Sequence, residues 1–340
     1  MKLTKIIPNN HIHRFSSKQI NDNFIHSDLL SFSFLFLAPS VHQPKFCSTA
    51  SWNPNAITVA NQSVVGSDPW SVFVNRNNTI YVANRQNKKI LVWHEDSVNS
   101  TQTISGNFTD PQSLFVTSNG DIYIDDGYEN GRVQKWIAET KAFVTVMYVN
   151  SSCLGLFVDV NDTLYCSTYG NDQVVKRWLV DSDMTSNIVV AGTGHPGSTL
   201  DQLNRPWGIF VDVNFDLYVA DCENDRVQLF VSGESSGVTV AGSRSPNPTI
   251  NLDCPSGIVL DAEKYLFIVD YFNHRIVGSG LNGFRCLVGC YGEGSQPNRL
   301  SYPSSLSFDR SGNMFVADYD NNQIQKFTHA KKSCGKLKQD

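Results

Sequence analysis

"LYVADCENDRVQLF", residues 217–230, consists of two short apolar runs around a polar turn. The same shape returns as "LFIVDYFNHRIV" at 266–277 and as "MFVADYDNNQIQKF" at 314–327. One such hairpin is ordinary, whereas recurrence with the same turn residues marks a repeat. Aligning on a first apolar run, a second run that opens with an aromatic pair, and an Asn turn gives six units. They begin at Pro69, Pro111, Cys153, Pro206, Pro255 and Pro303, with spacings of 42 to 53 residues. Each unit holds a first strand such as "GIFVD", a second such as "LYVAD", a third such as "RVQLF" and often a fourth such as "GVTVAG".

The first two strands of each unit are nearly continuous apolar runs, which means that both faces of the sheet are covered. Sheets buried on both faces and repeated in series pack radially around an axis. The expected fold is therefore all-β, a six-bladed β-propeller of four-stranded antiparallel blades. The last unit ends at Phe327 with only three strands, while "NAITVAN" (55–61) matches the fourth strands "NIVVAGT" (187–193) and "GVTVAGS" (237–243). An N-terminal strand, Ala56–Ala60, is thus expected to close the ring and remove its exposed edges. The chain divides into a signal-like segment 1–52, a propeller 53–330 and a basic tail 331–340.

Every unit keeps Asn between its second and third strands: Asn87, Asn130, Asn171, Asn224, Asn273 and Asn321. Asn accepts positive φ and bonds its own backbone, which suits a tight turn. Four units place Asp shortly before it (Asp126, Asp221, Asp270, Asp318), and three place Arg two residues after it (Arg132, Arg226, Arg275). Carboxylate and guanidinium at the ends of adjacent strands are expected to pair across the hairpin. Units one and three depart from this set, with Asn84/Lys89 and Thr168/Gln173, and are expected to be the less regular blades.

"YVADCENDRVQLF" and "IVDYFNHRIV" resemble the blade motif of the NHL-repeat family, and "AGTGHPGSTLDQLNRPWGIFVD" (191–212) resembles its link between blades. The resemblance spans about residues 53–330 and implies a six-bladed propeller. It leaves function open, because such propellers serve as protein-binding surfaces, RNA readers and enzymes.

Motifs for catalysis do not hold up. The G-x-G-x-x-G matches at Gly192/Gly194/Gly197 and Gly278/Gly280/Gly283 lack the following helix that aims amides at a phosphate. "GESSG" (233–237) sits in a turn between strands, not at a strand-to-helix elbow. "DVNFD" and "DYDNN" lack the glycine and terminal Glu of a calcium loop. The residues expected at the axis are Trp70, Gln112, Leu154, Trp207, Ser256 and Ser304, with no histidine among them. The amidating lyase of similar repeat type holds zinc on histidines near the axis. His94, His195, His274 and His329 lie elsewhere, so no such site assembles. Lactonase-type propellers use axial carboxylates around calcium, but Asp159, Asp212, Asp261 and Asp309 are expected to be peripheral, where strand meets hairpin. No catalytic residue, metal or cofactor is assigned, and the chain reads as a non-enzyme. A metal-dependent channel lyase or hydrolase is the alternative.

The start of the chain reads as targeting. "LLSFSFLFLA" (29–38) is too short to span a bilayer, and Ala38 and Ser40 are small residues before a cleavage point. No transmembrane segment is expected. Eight cysteines without a CxxC pair suit disulfides. Within the propeller the proposed pairs are Cys47–Cys334, Cys153–Cys166, Cys222–Cys254 and Cys286–Cys290. Asn-x-Ser/Thr sequons stand at Asn61, Asn77, Asn99, Asn107, Asn150 and Asn161 as glycosylation candidates. A net charge of −5 without a basic stripe argues against nucleic acid. The reading is a secreted glycoprotein that binds an extracellular protein, peptide or glycan. Its anchors would be exposed aromatics on the Asn-turn face: Trp70, Tyr128, Tyr169, Trp207, Tyr271 and Tyr319.

Overall fold

A computed structural model describes residues 43–94, 97, 102–243, 245 and 250–334. The apolar run 29–38 with Ala38 and Ser40, the sequon at Asn99, and residues 335–340 of the tail lie outside the described residues. The molecule is a six-bladed β-propeller. Blade 1 comprises Pro69–Val74, Thr79–Asn84, Lys89–His94 and Gln102–Ser105. Blades 2 to 5 repeat this antiparallel order and end at the outer strands Ala142–Tyr148, Ile188–Ala191, Val238–Gly242 and Gly283–Val288. Blades 1 and 3, expected to be less regular, are full four-stranded sheets, because strand packing rather than the turn residues decides regularity.

Blade 6 is built from both ends of the propeller. Pro303–Phe308, Met314–Asp318 and Gln323–Phe327 supply three strands, and Ile57–Ala60 pairs antiparallel with the last, Thr58 opposite Gln325. The second strands are buried along their whole length, as their unbroken apolar runs require. The preceding segment crosses the seam of blades 5 and 6. Phe46 donates its N–H to Asp261 Oδ2 at 2.9 Å, and its ring packs against Trp52, Phe267 and Phe308 at 5.0 to 5.4 Å.

All four proposed disulfides are present. Cys47–Cys334 ties the arm to the segment beyond blade 6, Cys153–Cys166 lies within blade 3, and Cys222–Cys254 joins blade 4 to blade 5. Cys286 lies inside the outer strand of blade 5 and Cys290 just after it, so this pair closes one end of that strand and does not bracket it.

The Asp–Arg pairs form as the register predicts: Arg226 Nε to Asp221 Oδ2 at 2.7 Å, Arg275 Nε to Asp270 Oδ2 at 2.8 Å, and Arg132 Nε to Asp126 Oδ2 at 2.5 Å. The Asn positions work differently from expectation. Positive φ falls on the next residue (Lys88, Gly131, Asp172, Asp225, His274, Asn322), at 50° to 54°. The Asn amide instead links the turn to its surroundings. Asn224 Nδ2 donates to Asp221 Oδ2 and to Gly197 O, and Asn321 Nδ2 to Asp318 Oδ2 and Gly294 O.

The left-handed residue then latches the next blade. Asp172 Oδ1 accepts from Arg205 N, Asp225 Oδ1 from Cys254 N, His274 Nδ1 from Tyr302 N, and Asn322 Oδ1 from Asp68 N, all within 2.8 to 3.1 Å. The last of these crosses from blade 6 to blade 1 and repeats at the ring's closure what the other blades do at their seams. At the opposite ends of the first strands, Asp159, Asp212, Asp261 and Asp309 each accept two backbone N–H groups of the following hairpin. They are buried turn clamps, placed where strand meets hairpin as expected.

Candidate functional site: the aromatic mouth of the channel

The first strands line the axis, and their openings are bulged. Register shifts between Pro69 and Ser71, Cys153 and Gly155, Pro206 and Ile209, Pro255 and Ile258, and Pro303 and Ser305. A bulge leaves its extra residue outside the ladder and free to be re-aimed. The bulged residues include Trp70, Leu154, Trp207, Ser256 and Ser304, and with Gln112 they line the channel as the repeat predicts.

Two indoles from opposite sides of the ring meet there. Trp70 of blade 1 and Trp207 of blade 4 have centroids 5.5 Å apart. Tyr271 of blade 5 packs edge-on against Trp207 at 5.1 Å, and Tyr319 of blade 6 against Trp70 at 5.0 Å. These tilted and edge-to-face arrangements are the favoured geometries for aromatic pairs. Phe272 and Tyr302 continue the cluster outward from Tyr271, at 5.0 and 5.3 Å. Arg85 lies over the Trp70 ring at 4.7 Å and is held there by a bidentate pair with Asp110 at 2.8 and 2.9 Å. Burial raises the Tyr271 phenol to about 12 and also raises that of Tyr319, so both hydroxyls are neutral donors at any physiological pH.

Below the mouth is a cavity of about 110 Å³. A tier of rings bounds it on four blades: Phe73, Phe115, Phe157 and Phe210, in successive contacts of 5.5, 5.1 and 5.1 Å. No residue lining it is ionisable. Several serines around it are already engaged between blades. Ser304 Oγ donates to Trp70 O at 2.6 Å, Ser256 Oγ to Pro303 O, and Ser113 Oγ to Cys153 O. Among the described residues no group of three or more His, Cys, Asp or Glu is arranged to hold a metal ion. No helix there is long and apolar enough to cross a membrane.

The structure brings together four of the six aromatics singled out from the sequence (Trp70, Trp207, Tyr271 and Tyr319) and keeps two apart. These four are buried or half-buried, so the expectation of exposed anchors is corrected: rings that converge on one mouth cover one another. Tyr128 is 72% exposed and stands alone on blade 2, and Tyr169 packs under Arg205 at 5.3 Å. Sequence reasoning missed Phe272, Tyr302 and Arg85, which the repeat alignment does not mark. It also missed Asp125, a fully buried carboxyl in blade 2 at the position occupied by Ala83 and Ala317 in blades 1 and 6. Desolvation pushes Asp125 well above the usual carboxylate range, and its Oδ1 accepts Cys153 N–H at 2.9 Å across the seam to blade 3.

The NHL repeat family matches residues 300–327, within blade 6 and the link before it. No curated protein matches the chain by sequence. Solved structures of similar fold include a protein of unknown function from Bacteroides thetaiotaomicron, with TM-score 0.65 and 16% identity over 86% of this chain and 76% of that one. An auxiliary nutrient binding protein from the same organism gives TM-score 0.61 and 14% identity over 85% and 75%. Virginiamycin B lyase from Staphylococcus aureus gives 0.56 and 11% over 80% and 98%. At such identities the likeness is one of fold.

Proposed function

We propose that this chain, an NHL-repeat six-bladed β-propeller, is a non-catalytic extracellular module that binds a protein, peptide or glycan through the aromatic mouth of its channel. One observation carries the reading: four aromatic rings from four blades converge on a channel whose lining is uncharged. Large rigid rings with polar edges give contact area at low entropic cost and are the usual anchors of recognition surfaces. The cavity below the mouth has no carboxylate, imidazole or thiolate in its lining, which supports binding over a metal-dependent reaction there. Four disulfides support an oxidising compartment, outside the cell or in a periplasm.

The test is an array of secreted proteins, peptides and glycans probed with the wild-type chain and with Trp70→Ala and Tyr271→Ser variants, whose folding is checked by circular dichroism. Capture lost in folded variants supports the reading, and capture retained by both overturns the assignment of the face. Elemental analysis of the purified protein addresses the enzyme alternative. Stoichiometric zinc or calcium would favour a metal-dependent lyase or hydrolase, in line with the lyase among the structural neighbours.

A further inference from the structure

Every Asn-x-Ser/Thr triplet of the chain in which x is not proline lies between Asn61 and Asn161, and none follows. On the ring this clustering becomes angular. Asn61, Asn107 and Asn150 are exposed and sit in the links that leave the outer strands of blades 6, 1 and 2, on the same face as the aromatic mouth. Asn77 and Asn161 are exposed in hairpins of blades 1 and 3 on the opposite face. The links after blades 3, 4 and 5 carry no sequon.

Backbone geometry reinforces the asymmetry. The residue after Ala60 is Asn61, but after the equivalent Ala191, Ala241 and Val288 it is Gly192, Gly242 and Gly289. These glycines have φ of 82°, 89° and 74°. A Cβ there would fall 2.3, 2.1 and 2.5 Å from the carbonyl oxygens of Asp172, Asp225 and His274. Blades 3 to 5 therefore exclude any side chain, and with it any glycan, at the position that blade 6 gives to an exposed asparagine.

The isolated tyrosines lie beside the sequons. The Tyr128 turn is tied to Asn107 by Asn130 Nδ2, which donates to Asn107 O at 3.5 Å. The Tyr169 turn is tied to the Asn150 link by Gly170 N, which donates to Ser151 Oγ at 3.2 Å. Phe272, 49% exposed on blade 5, and Tyr302 in the link to blade 6 have no sequon near them.

We propose that N-linked glycans on Asn61, Asn107 and Asn150 fence the arc of this face from the seam of blades 6 and 1 round to blade 3, so that a partner reaches the aromatic mouth over blades 4 and 5. N-glycans are bulky and hydrated, and three consecutive links place them along one continuous rim. The proposal rests on the reading of the chain as extracellular. It gives the binding face a direction that the six-fold repeat by itself does not have.

The test uses the full chain secreted from a eukaryotic host. Glycopeptide mass spectrometry reads occupancy at the three asparagines, and hydroxyl-radical footprinting is run before and after enzymatic removal of the glycans. Occupancy at all three, with a several-fold rise in Tyr128 labelling on deglycosylation and unchanged labelling of Phe272 and Tyr302, is the expected result. A secreted chain bare at any of the three, an unchanged Tyr128, or a comparable rise at Phe272 and Tyr302 would overturn it. If one of those results overturns the fence, a triple Asn→Gln variant that captures a partner on the array as the wild type does leaves the binding reading standing.

Discussion

Among single residues, the aspartates that end the second strands show how charge is used in this ring. Asp221 and Arg226 are both essentially out of solvent, and the guanidinium also donates to the carbonyls of Ser198, Thr199 and Gln202 at 2.9 to 3.0 Å. Removing one partner of such a pair leaves an uncompensated buried charge. Arg226→Ala is expected to lower unfolding stability by about 3–5 kcal/mol, measured by urea denaturation. Arg275→Ala should cost less, because Arg275 is partly exposed. Asp318 has no arginine: Ser301 N, Asn321 Nδ2 and Gln323 Nε2 donate to it, and burial outweighs them and lifts its pKa from 3.8 to about 6. A raised carboxyl binds its proton more tightly folded than unfolded. Its contribution to stability is therefore complete below pH 3.8 and lost as pH rises through about 6. The change amounts to about 3 kcal/mol. Asp318→Asn should flatten the stability–pH curve in that window, and carboxyl ¹³C NMR of the wild type should show the titration directly. The Asp and Arg positions were legible because strand register alone sets their pairing. The part played by the turn asparagines was not, since φ at neighbouring positions depends on which of them the hydrogen-bond network engages.

At the level of elements, the arm and the disulfides hold what the strands begin. Loop entropy makes the two kinds of staple very unequal. Cys47–Cys334 closes a separation of 287 residues and Cys286–Cys290 one of 4. The chain-entropy relation gives about 5–6 kcal/mol for the first and about 2 kcal/mol for the second. Cys47→Ala/Cys334→Ala should therefore shift the urea midpoint far more than Cys286→Ala/Cys290→Ala. Equal shifts would mean that pairing of Ile57–Ala60 with Gln323–Phe327, not the bridge, sets the stability of the closure. The closing strand and the four pairs were legible because each follows from counting strands per blade. The latches formed by Asp172, Asp225, His274 and Asn322 were not, because three different residue types carry out one task and leave no motif.

For the whole molecule, the period of the repeat revealed the wheel but not its site. Trp70 and Trp207 are 137 positions apart, and only the radius of a six-membered ring, together with bulges at the strand openings, brings their indoles into contact. Tyr128 and Tyr169 hold the same offset from the turn asparagine as Tyr271 and Tyr319, yet they stand outside the cluster, so repeat position alone does not place a ring in the mouth. Blade 6 has a consequence for how the chain is made. Its four strands come from residues near both ends of the propeller, and Cys47 must wait for Cys334. During synthesis, blades 1 to 5 can assemble in order as each leaves the ribosome. Until the final strands arrive, the nascent protein presents two uncovered sheet faces, on blades 1 and 5, and an unshielded Phe46, and these invite chaperones or another unfinished copy.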